Sequence, residues 1–195
     1  MSMLGLKLKT DPRWARLVEE NIPALLSDHA WCEQKAASNA ISIIARFPEH
    51  LDLVQALTRI AGEEIEHFGM VVEKIVERGW RLEFDDKDPY IGELAGFIKR
   101  GGDREGQLVD RLLLSAMIEA RSCERFKMLS ERISDADLRT FYYDLMVSEA
   151  EHYTTFLGFA RKYAGRIDVD ARWAEFLAFE GRIIQSYGKN ENVHG

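Results

Sequence analysis

Two short segments of this chain carry the same pair of residues at the same spacing, and this repetition constrains the fold more than any other feature. The segments are EEIEHF, from Glu63 to Phe68, and EAEHYT, from Glu149 to Thr154, and in each a Glu is followed three residues later by a His. Side chains three residues apart lie on the same face of an α-helix. The pattern therefore predicts two helices that each direct a carboxylate and an imidazole to one place.

The hydrophobic residues around each Glu-x-x-His pair indicate which way the pair faces. Steps of three and four residues separate the apolar positions, as expected for one face of a helix. Around Glu64 and His67 the apolar positions are Leu53, Leu57, Ile60, Ala61, Phe68, Val71 and Ile75. Around Glu149 and His152 they are Phe141, Leu145, Phe156 and Phe159. Since both pairs continue the apolar stripe, we expect them to point into the protein interior rather than into water.

Capping and helix-breaking residues divide the chain into helices, and no segment alternates with the period of two that is typical of a strand. We predict a short lead-in helix after Asp11 and Pro12, followed by four long helices, with a short helix between the second and third and another helix at the C-terminus. The four long helices are predicted at residues 23–47, 48–78, 103–133 and 135–164, the short one at 90–100 and the last at 168–187.

The lengths of the connections predict the topology. A few residues join the first long helix to the second and the third to the fourth, so each pair should be antiparallel. More than 20 residues separate the second from the third. We therefore predict an all-α protein with a ferritin-like four-helix bundle, one long crossover and additional short terminal helices; a plain up-and-down bundle is the alternative. One domain is expected over residues 1–195, with the bundle core at 23–165 and the C-terminal helix at 168–187.

A metal site in the core of such a bundle needs one further carboxylate from each of the two remaining helices. Glu33 and Glu119 meet this requirement, because each lies among apolar or small residues. The neighbours of Glu33 on its stripe are Ala30, Ala36, Ala37, Ala40, Ile41 and Ile44. The neighbours of Glu119 are Leu112, Ser115, Ala116, Ser122, Cys123 and Phe126. Glu64 follows Glu33 by 31 residues and Glu149 follows Glu119 by 30, so two antiparallel pairs would bring each Glu level with its Glu-x-x-His pair.

These residues form a donor set for two metal ions. Four carboxylates that face one interior without positive charge would be costly, and some would take up protons. Two ferrous ions supply four positive charges against them, and imidazole suits iron. We therefore predict two iron ions bound by Glu33, Glu64, His67, Glu119, Glu149 and His152. Glu63 lies four residues before His67 and is a candidate acceptor that orients its ring.

Four nearby residues have simpler explanations. His29 lies one turn before the first predicted ligand and could touch the site, but a partly exposed structural histidine is the expected role. Glu124 is the rival of Glu119 as a ligand; it lies five residues further on and faces elsewhere, which favours a surface salt bridge. Cys32 and Cys123 are expected to be small buried hydrophobic residues.

Charge and composition limit the possible functions. The net charge of −7 excludes a generally basic nucleic-acid binder, so any phosphate contact must come from a local patch. Basic residues are dense in KLKTDPRWAR, at residues 7–16, and around Lys99, Arg100 and Arg104. The two cysteines form no CxxC motif, which fits a reducing cytosol. No uncharged apolar run approaches the roughly 20 residues that cross a bilayer. We expect a cytoplasmic protein that does not enter the membrane.

The segments HAWCEQKAAS, AGEEIEHF, LLLSAMIEARSCERF and VSEAEHYTTF resemble a bacterial tRNA hydroxylase family that acts on 2-methylthio-isopentenyl-adenosine next to the anticodon. The resemblance extends from the first long helix through the fourth. It implies a di-iron monooxygenase that uses dioxygen to insert one oxygen atom into an allylic C–H bond of the isopentenyl group. It also implies a tRNA substrate, an external electron donor and the same six metal ligands that the periodicity predicts.

Two other functions share this ligand pattern. One is a ferritin-like ferroxidase or iron-storage subunit, and the other is a rubrerythrin-like peroxidase or a di-manganese relative. A rubrerythrin normally adds a Cys-rich iron module, which this sequence lacks, and many ferroxidase sites contain an additional Glu for which we find no clear candidate. The hydroxylase is therefore the preferred interpretation, with iron handling or peroxidase activity as the alternative.

Overall fold

The computed structural model describes residues 3–85, 89–99 and 101–187, and all regular structure within these ranges is helical. A 3-10 turn at Met3–Gly5 precedes the α-helices. These are α1 (Trp14–Glu19), α2 (Ile22–Arg46), α3 (Leu51–Glu77), α4 (Pro89–Gly96), α5 (Arg104–Arg132), α6 (Ala136–Lys162) and α7 (Val169–Tyr187). The all-α prediction is confirmed, and every predicted helix is present with its ends shifted by a few residues. Among the described residues, no helix combines the length and apolarity needed to cross a membrane.

Side-chain caps explain where the long helices begin. Before α2, the side chain of Asn21 accepts a hydrogen bond from a backbone N–H of the first turn, and a proline occupies that turn. Asp103 caps α5 by accepting from the N–H of Gly106 at 2.7 Å. Asp135 caps α6 in the same way and accepts from the N–H of Leu138 at 3.1 Å. Such caps satisfy N–H groups that have no partner within the helix, so the helix starts depend on local sequence.

The end of α3 also follows from a local feature. The helix stops at Glu77, and Gly79 adopts φ +70° directly after the C-cap residue. The N–H of Gly79 donates to the carbonyl of Val76 at 2.9 Å. A residue with a side chain rarely adopts this left-handed conformation. Gly79 therefore ends the helix at the predicted position.

Residues 17–85 form one compact unit of the described structure, in which α2 and α3 form a helical hairpin. Four residues connect the two helices, and the helices contact each other along their length. The buried apolar residues of this hairpin are Leu25, Leu26, Ala30, Ala37, Ala40, Ile43, Leu53, Ala56, Leu57, Ile60, Ala61, Val71 and Ile75. The prediction that Ile41 belongs to the buried stripe around Glu33 was wrong. Ile41 is 56% exposed, and Ile43 is the buried isoleucine near this end of α2.

Residues 3–16, 89–99 and 101–187 form the second compact unit, which is built around α5. Within this unit α5 contacts α4, α6, α7 and the N-terminal 3-10 turn. Because neighbours cover it on several sides, α5 buries residues around most of its circumference, including polar ones. The expectation that both units belong to a single domain over residues 1–195 stays a prediction.

A buried ion-pair network connects α5 with α7 and the N-terminal segment. Arg121 and Glu180 are both 0% exposed, and the guanidinium donates to Glu180 Oε1 from Nε at 2.8 Å and from Nη2 at 2.5 Å. Arg121 Nη1 also donates to Glu124 Oε2 at 3.0 Å. The backbone N–H and the hydroxyl of Thr10 donate to the same Glu124 carboxylate at 3.0 and 2.6 Å. The prediction of a surface salt bridge for Glu124 was wrong, because the N-terminal segment covers this face of α5 and leaves Glu124 only 8% exposed.

Candidate metal centre

Glu33, Glu64 and His67 come together on the α2–α3 hairpin, and all three are buried. Glu33 lies on α2, whereas Glu64 and His67 lie one turn apart on α3, and the three residues are 4%, 1% and 8% exposed. One potential ligand atom from each lies within 4.8 Å of the others. His67 Nδ1 is 3.6 Å from Glu33 Oε2 and 3.7 Å from Glu64 Oε2. Two carboxylates and one imidazole therefore surround a single small volume, which we call the α2–α3 triad.

His29 is a further residue of this cluster, and its predicted partial exposure was wrong. The side chain is fully buried, and its Nε2 lies 2.6 Å from Glu33 Oε1, which is hydrogen-bonding distance. The sequence signal was available, since His29 precedes Glu33 by four residues and so lies on the same helix face. Periodicity alone could not distinguish a histidine that touches the cluster from one that packs beside it.

The environment of Glu33 stabilises its charged form. Burial by itself disfavours a carboxylate and raises its pKa. The hydrogen bond with His29 and the nearby side chains of His67 and Glu64 outweigh this effect and hold the pKa of Glu33 well below its ordinary value. Glu33 is therefore ionised at neutral pH, as a metal ligand must be.

Glu119, Glu149 and His152 form a corresponding cluster in the second unit. Glu119 lies on α5, Glu149 and His152 lie one turn apart on α6, and the exposures are 4%, 2% and 2%. Potential ligand atoms of these three residues also lie within 4.8 Å of one another. We call this group the α5–α6 triad. The six predicted residues are thus all buried, and three come together in each unit.

The donor chemistry of each triad fits a divalent cation. A triad contributes two carboxylates and a neutral imidazole, so one divalent ion balances its formal charge of −2. Removing such carboxylates from water without a counter-charge is costly, and buried carboxylates are therefore paired or coordinate metals. Oxygen and imidazole nitrogen donors suit iron and neighbouring transition metals. The triads consequently have the composition and burial required to hold metal ions.

Other residues singled out in the sequence have different environments. Glu63 is solvent-exposed on α3, and its role in orienting His67 stays a prediction. Cys123 is buried, as expected, and its thiol lies 3.4 Å from the carbonyl oxygen of Met146. Burial, together with the negative charge of nearby carboxylates, raises the pKa of Cys123 to about 12. Cys32 is only half-buried, which corrects the expectation that both cysteines are buried.

The helical fold and the two buried triads are typical of one group of metal-binding proteins. The chain is an all-α, ferritin-like protein in which single Glu residues and Glu-x-x-His pairs form buried clusters that can hold metal ions. A solved structure supports the fold over the full length: "Protein 43 with aldehyde deformylating oxygenase activity from Synechococcus" has a TM-score of 0.90 and 29% sequence identity. The match covers 100% of this chain and 96% of that one.

Sequence comparisons identify the family within this group. A family model described as tRNA-(MS[2]IO[6]A)-hydroxylase (MiaE) matches residues 3–195. Two curated relatives are named tRNA 2-(methylsulfanyl)-N(6)-isopentenyladenosine(37) hydroxylase. The one from Pseudomonas putida is 37% identical, with coverage of 95% of this chain and 89% of the relative. The one from Salmonella typhimurium is 28% identical, with coverage of 90% and 81%. The chain therefore belongs to the tRNA-(MS[2]IO[6]A)-hydroxylase family, which confirms the resemblance seen in the sequence.

Proposed function

We propose that this protein hydroxylates the isopentenyl group of 2-methylthio-isopentenyl-adenosine in tRNA. The observation that carries the proposal is the family match over residues 3–195, and the names of both curated relatives agree with it. The metal-binding chemistry of the two buried triads provides independent support. The family match favours hydroxylation over the alternatives of iron storage and peroxidase activity.

The cofactor in this proposal is a pair of iron ions. The residues that would bind the two ions are Glu33, Glu64, His67, Glu119, Glu149 and His152. When bound, iron supplies the activation of dioxygen, one atom of which enters the allylic C–H bond while the other leaves as water, with two electrons and two protons from an external donor. Two ferrous ions would neutralise the four carboxylates, and this balance would offset the cost of burying so many acidic groups.

The protein's own residues contribute burial and order to this chemistry. Each predicted ligand is at most 8% exposed, so bulk water has little access to the metal-binding atoms. Small buried side chains such as Ala37 and Ala116 occupy less volume beside the ligands than other apolar residues would. Contacts with distant parts of the tRNA would supply binding energy that positions the reacting carbon. A free modified nucleoside should therefore react much less efficiently than an anticodon stem-loop.

The proposed partners are tRNA and an electron donor, and the proposed location is the cytoplasm. Two basic surfaces are candidates for phosphate contacts. Lys7, Lys9, Arg13 and Arg16 of the N-terminal segment are exposed, although Arg13 forms an ion pair with Asp11. Lys99 and Arg104 are exposed near the start of α5, and Arg100, which was predicted to belong to this patch, lies outside the described residues. Local patches of this kind can bind RNA even on a protein of net charge −7.

A matched pair of variants tests the assignment of ligands. Wild-type protein reconstituted anaerobically with ferrous iron should bind about two ions per chain, as in other bundles with this ligand pattern. Glu119→Ala should lower the bound iron, since it removes a ligand. Glu124→Ala removes a buried carboxylate of the same helix that belongs to the Arg121 network, so it should destabilise the fold while the folded fraction retains its iron. Equal loss of iron per folded chain in both variants would show that the α5 ligand is wrongly assigned.

An isotope experiment tests the reaction itself. Reduced protein, tRNA bearing the isopentenylated adenosine and ¹⁸O₂ are incubated, and the nucleosides are then analysed by mass spectrometry. We expect one ¹⁸O atom in the isopentenyl group, and Glu149→Ala should abolish its incorporation. If no label is incorporated while the protein rapidly oxidises and mineralises excess ferrous iron, iron storage would replace hydroxylation as the function.

A further inference from the structure

His29 occupies a special position relative to the α2–α3 triad. Its imidazole is 0% exposed, and its Nε2 lies 2.6 Å from Glu33 Oε1. The other oxygen of the same carboxylate, Oε2, faces Nδ1 of His67 at 3.6 Å. The two oxygens of Glu33 therefore face two different imidazoles. One comes from the same helix and one from α3, and the carboxylate is held between them.

The corresponding position of the α5–α6 triad is different. Four residues before Glu119 the chain has Ser115, a short side chain that is also buried. Its hydroxyl donates to the carbonyl oxygen of Arg111 at 3.1 Å, in the preceding turn of α5. The imidazole at this position is therefore a feature of one triad, so the two otherwise matching triads differ in what holds their single Glu.

We propose that His29 is a positioning residue that orients Glu33 for metal binding and makes the two metal positions unequal. This inference rests on the proposed function, because it requires that the triads hold metal. By donating from Nε2 to Oε1, His29 restricts rotation of the Glu33 side chain and leaves Oε2 directed toward the triad. A flexible glutamate would lose this rotational freedom only when it binds the ion, whereas Glu33 has lost it already.

The expected size of the effect follows from the behaviour of similar hydrogen bonds. Groups that hydrogen-bond to metal ligands typically change metal affinity by about 10–100-fold when they are removed. Only the ion held by Glu33 should be affected, because Glu119 has a serine at the equivalent position. The protein should therefore bind its two metal ions with distinct affinities, and loss of the His29 donor should weaken one of the two binding events.

Two substitutions of His29 by residues of similar size distinguish an effect of its hydrogen bond from an effect of its packing. His29→Gln retains an N–H donor near the original position, whereas His29→Leu fills similar space and has no donor. Ser115→Ala is the matched control on α5. Metal-free protein is titrated anaerobically with Co²⁺, and binding is followed by the visible absorption of the bound ion and by calorimetry. Circular dichroism and thermal unfolding of the metal-free proteins report whether each variant is folded.

The expected result is two binding events in wild-type protein, with one of them weakened about 10–100-fold in His29→Leu and restored in His29→Gln. Ser115→Ala should bind both ions as wild-type protein does. Unchanged metal binding in His29→Leu would refute the proposed role of His29. Equal weakening in His29→Leu and His29→Gln would also refute it, because the effect would then come from packing rather than from the hydrogen bond. A wild-type protein that binds no metal ions would instead refute the proposed metal centre, so the two failures are distinguishable.

Discussion

Replacing Arg121 with methionine should destabilise the protein by about 3–5 kcal/mol, because this arginine is the cation of a fully buried network. Its guanidinium donates twice to Glu180 and once to Glu124, and Arg121 and Glu180 are both 0% exposed. Methionine fills much of the same volume but removes the closest positive charge and two hydrogen bonds from the buried Glu180, which keeps the hydroxyl of Tyr90 and the charge of Arg125 nearby. Glu124 retains two hydrogen bonds from Thr10, so most of the penalty should arise at Glu180.

The charged partners also alter each other's ionisation. Burial lowers the pKa of Arg121, but Glu180 and Glu124 more than compensate, and the pKa lies above its ordinary value. Burial raises the pKa of Glu180 despite the nearby guanidinium. In Arg121→Met the Glu180 carboxyl would escape part of the penalty by taking up a proton. The loss of stability should therefore be greater at pH 8 than at pH 5.

Urea unfolding of the metal-free protein, followed by circular dichroism, measures this loss. A change of 3–5 kcal/mol corresponds to a decrease in Tm of roughly 6–20 °C for a chain of this size. The double variant Arg121→Met/Glu180→Leu removes both charges, and it should recover most of the stability, because apolar replacements of buried ion pairs are often neutral. A single variant that loses less than about 1 kcal/mol, in the range of exposed pairs, would refute the reasoning.

Three further predictions concern a thiol, a carboxylate and a surface. Burial raises the pKa of Cys123 to about 12, so its thiol should not react with Ellman's reagent at pH 8 in the folded Cys32→Ser variant. In the Cys123→Ser variant, the half-buried thiol of Cys32 should react. The pKa of Glu180 is raised in the folded state, so this carboxyl stabilises the fold fully below its ordinary pKa of 4.5, and the stabilisation is lost as the pH rises through the raised pKa. Glu180→Gln should remove this contribution to the pH dependence of stability, as measured by urea unfolding from pH 4 to 8. Replacing Lys99 and Arg104 with Gln should weaken tRNA binding and lower its salt slope by up to about two, with iron content unchanged; an unaltered slope would place the RNA elsewhere.

Local periodicity was sufficient to identify the candidate ligands. A residue three positions from another shares its helix face in any helix, so the Glu-x-x-His pairs could be placed on apolar stripes without tertiary information. The prediction that Glu64, His67, Glu149 and His152 are buried is confirmed. The helix starts at Asp103 and Asp135 could also be predicted from the sequence, because a capping side chain contacts N–H groups only two or three residues away.

Contacts between distant segments decided the remaining features. The burial of Glu124 depends on Thr10, which lies 114 residues earlier in the chain, and no helical period contains that information. The exposure of Ile41 and the burial of Ile43 depend on which side of α2 is covered near its end. His29 has a candidate partner in Glu33 by spacing alone, but complete burial, which makes their hydrogen bond strong and its loss costly, requires the packed interior. Helical spacing in the sequence is therefore enough to show which side chains share a helix face. Which of these faces is removed from water depends on packing in three dimensions, because burial requires segments that are far apart in the chain.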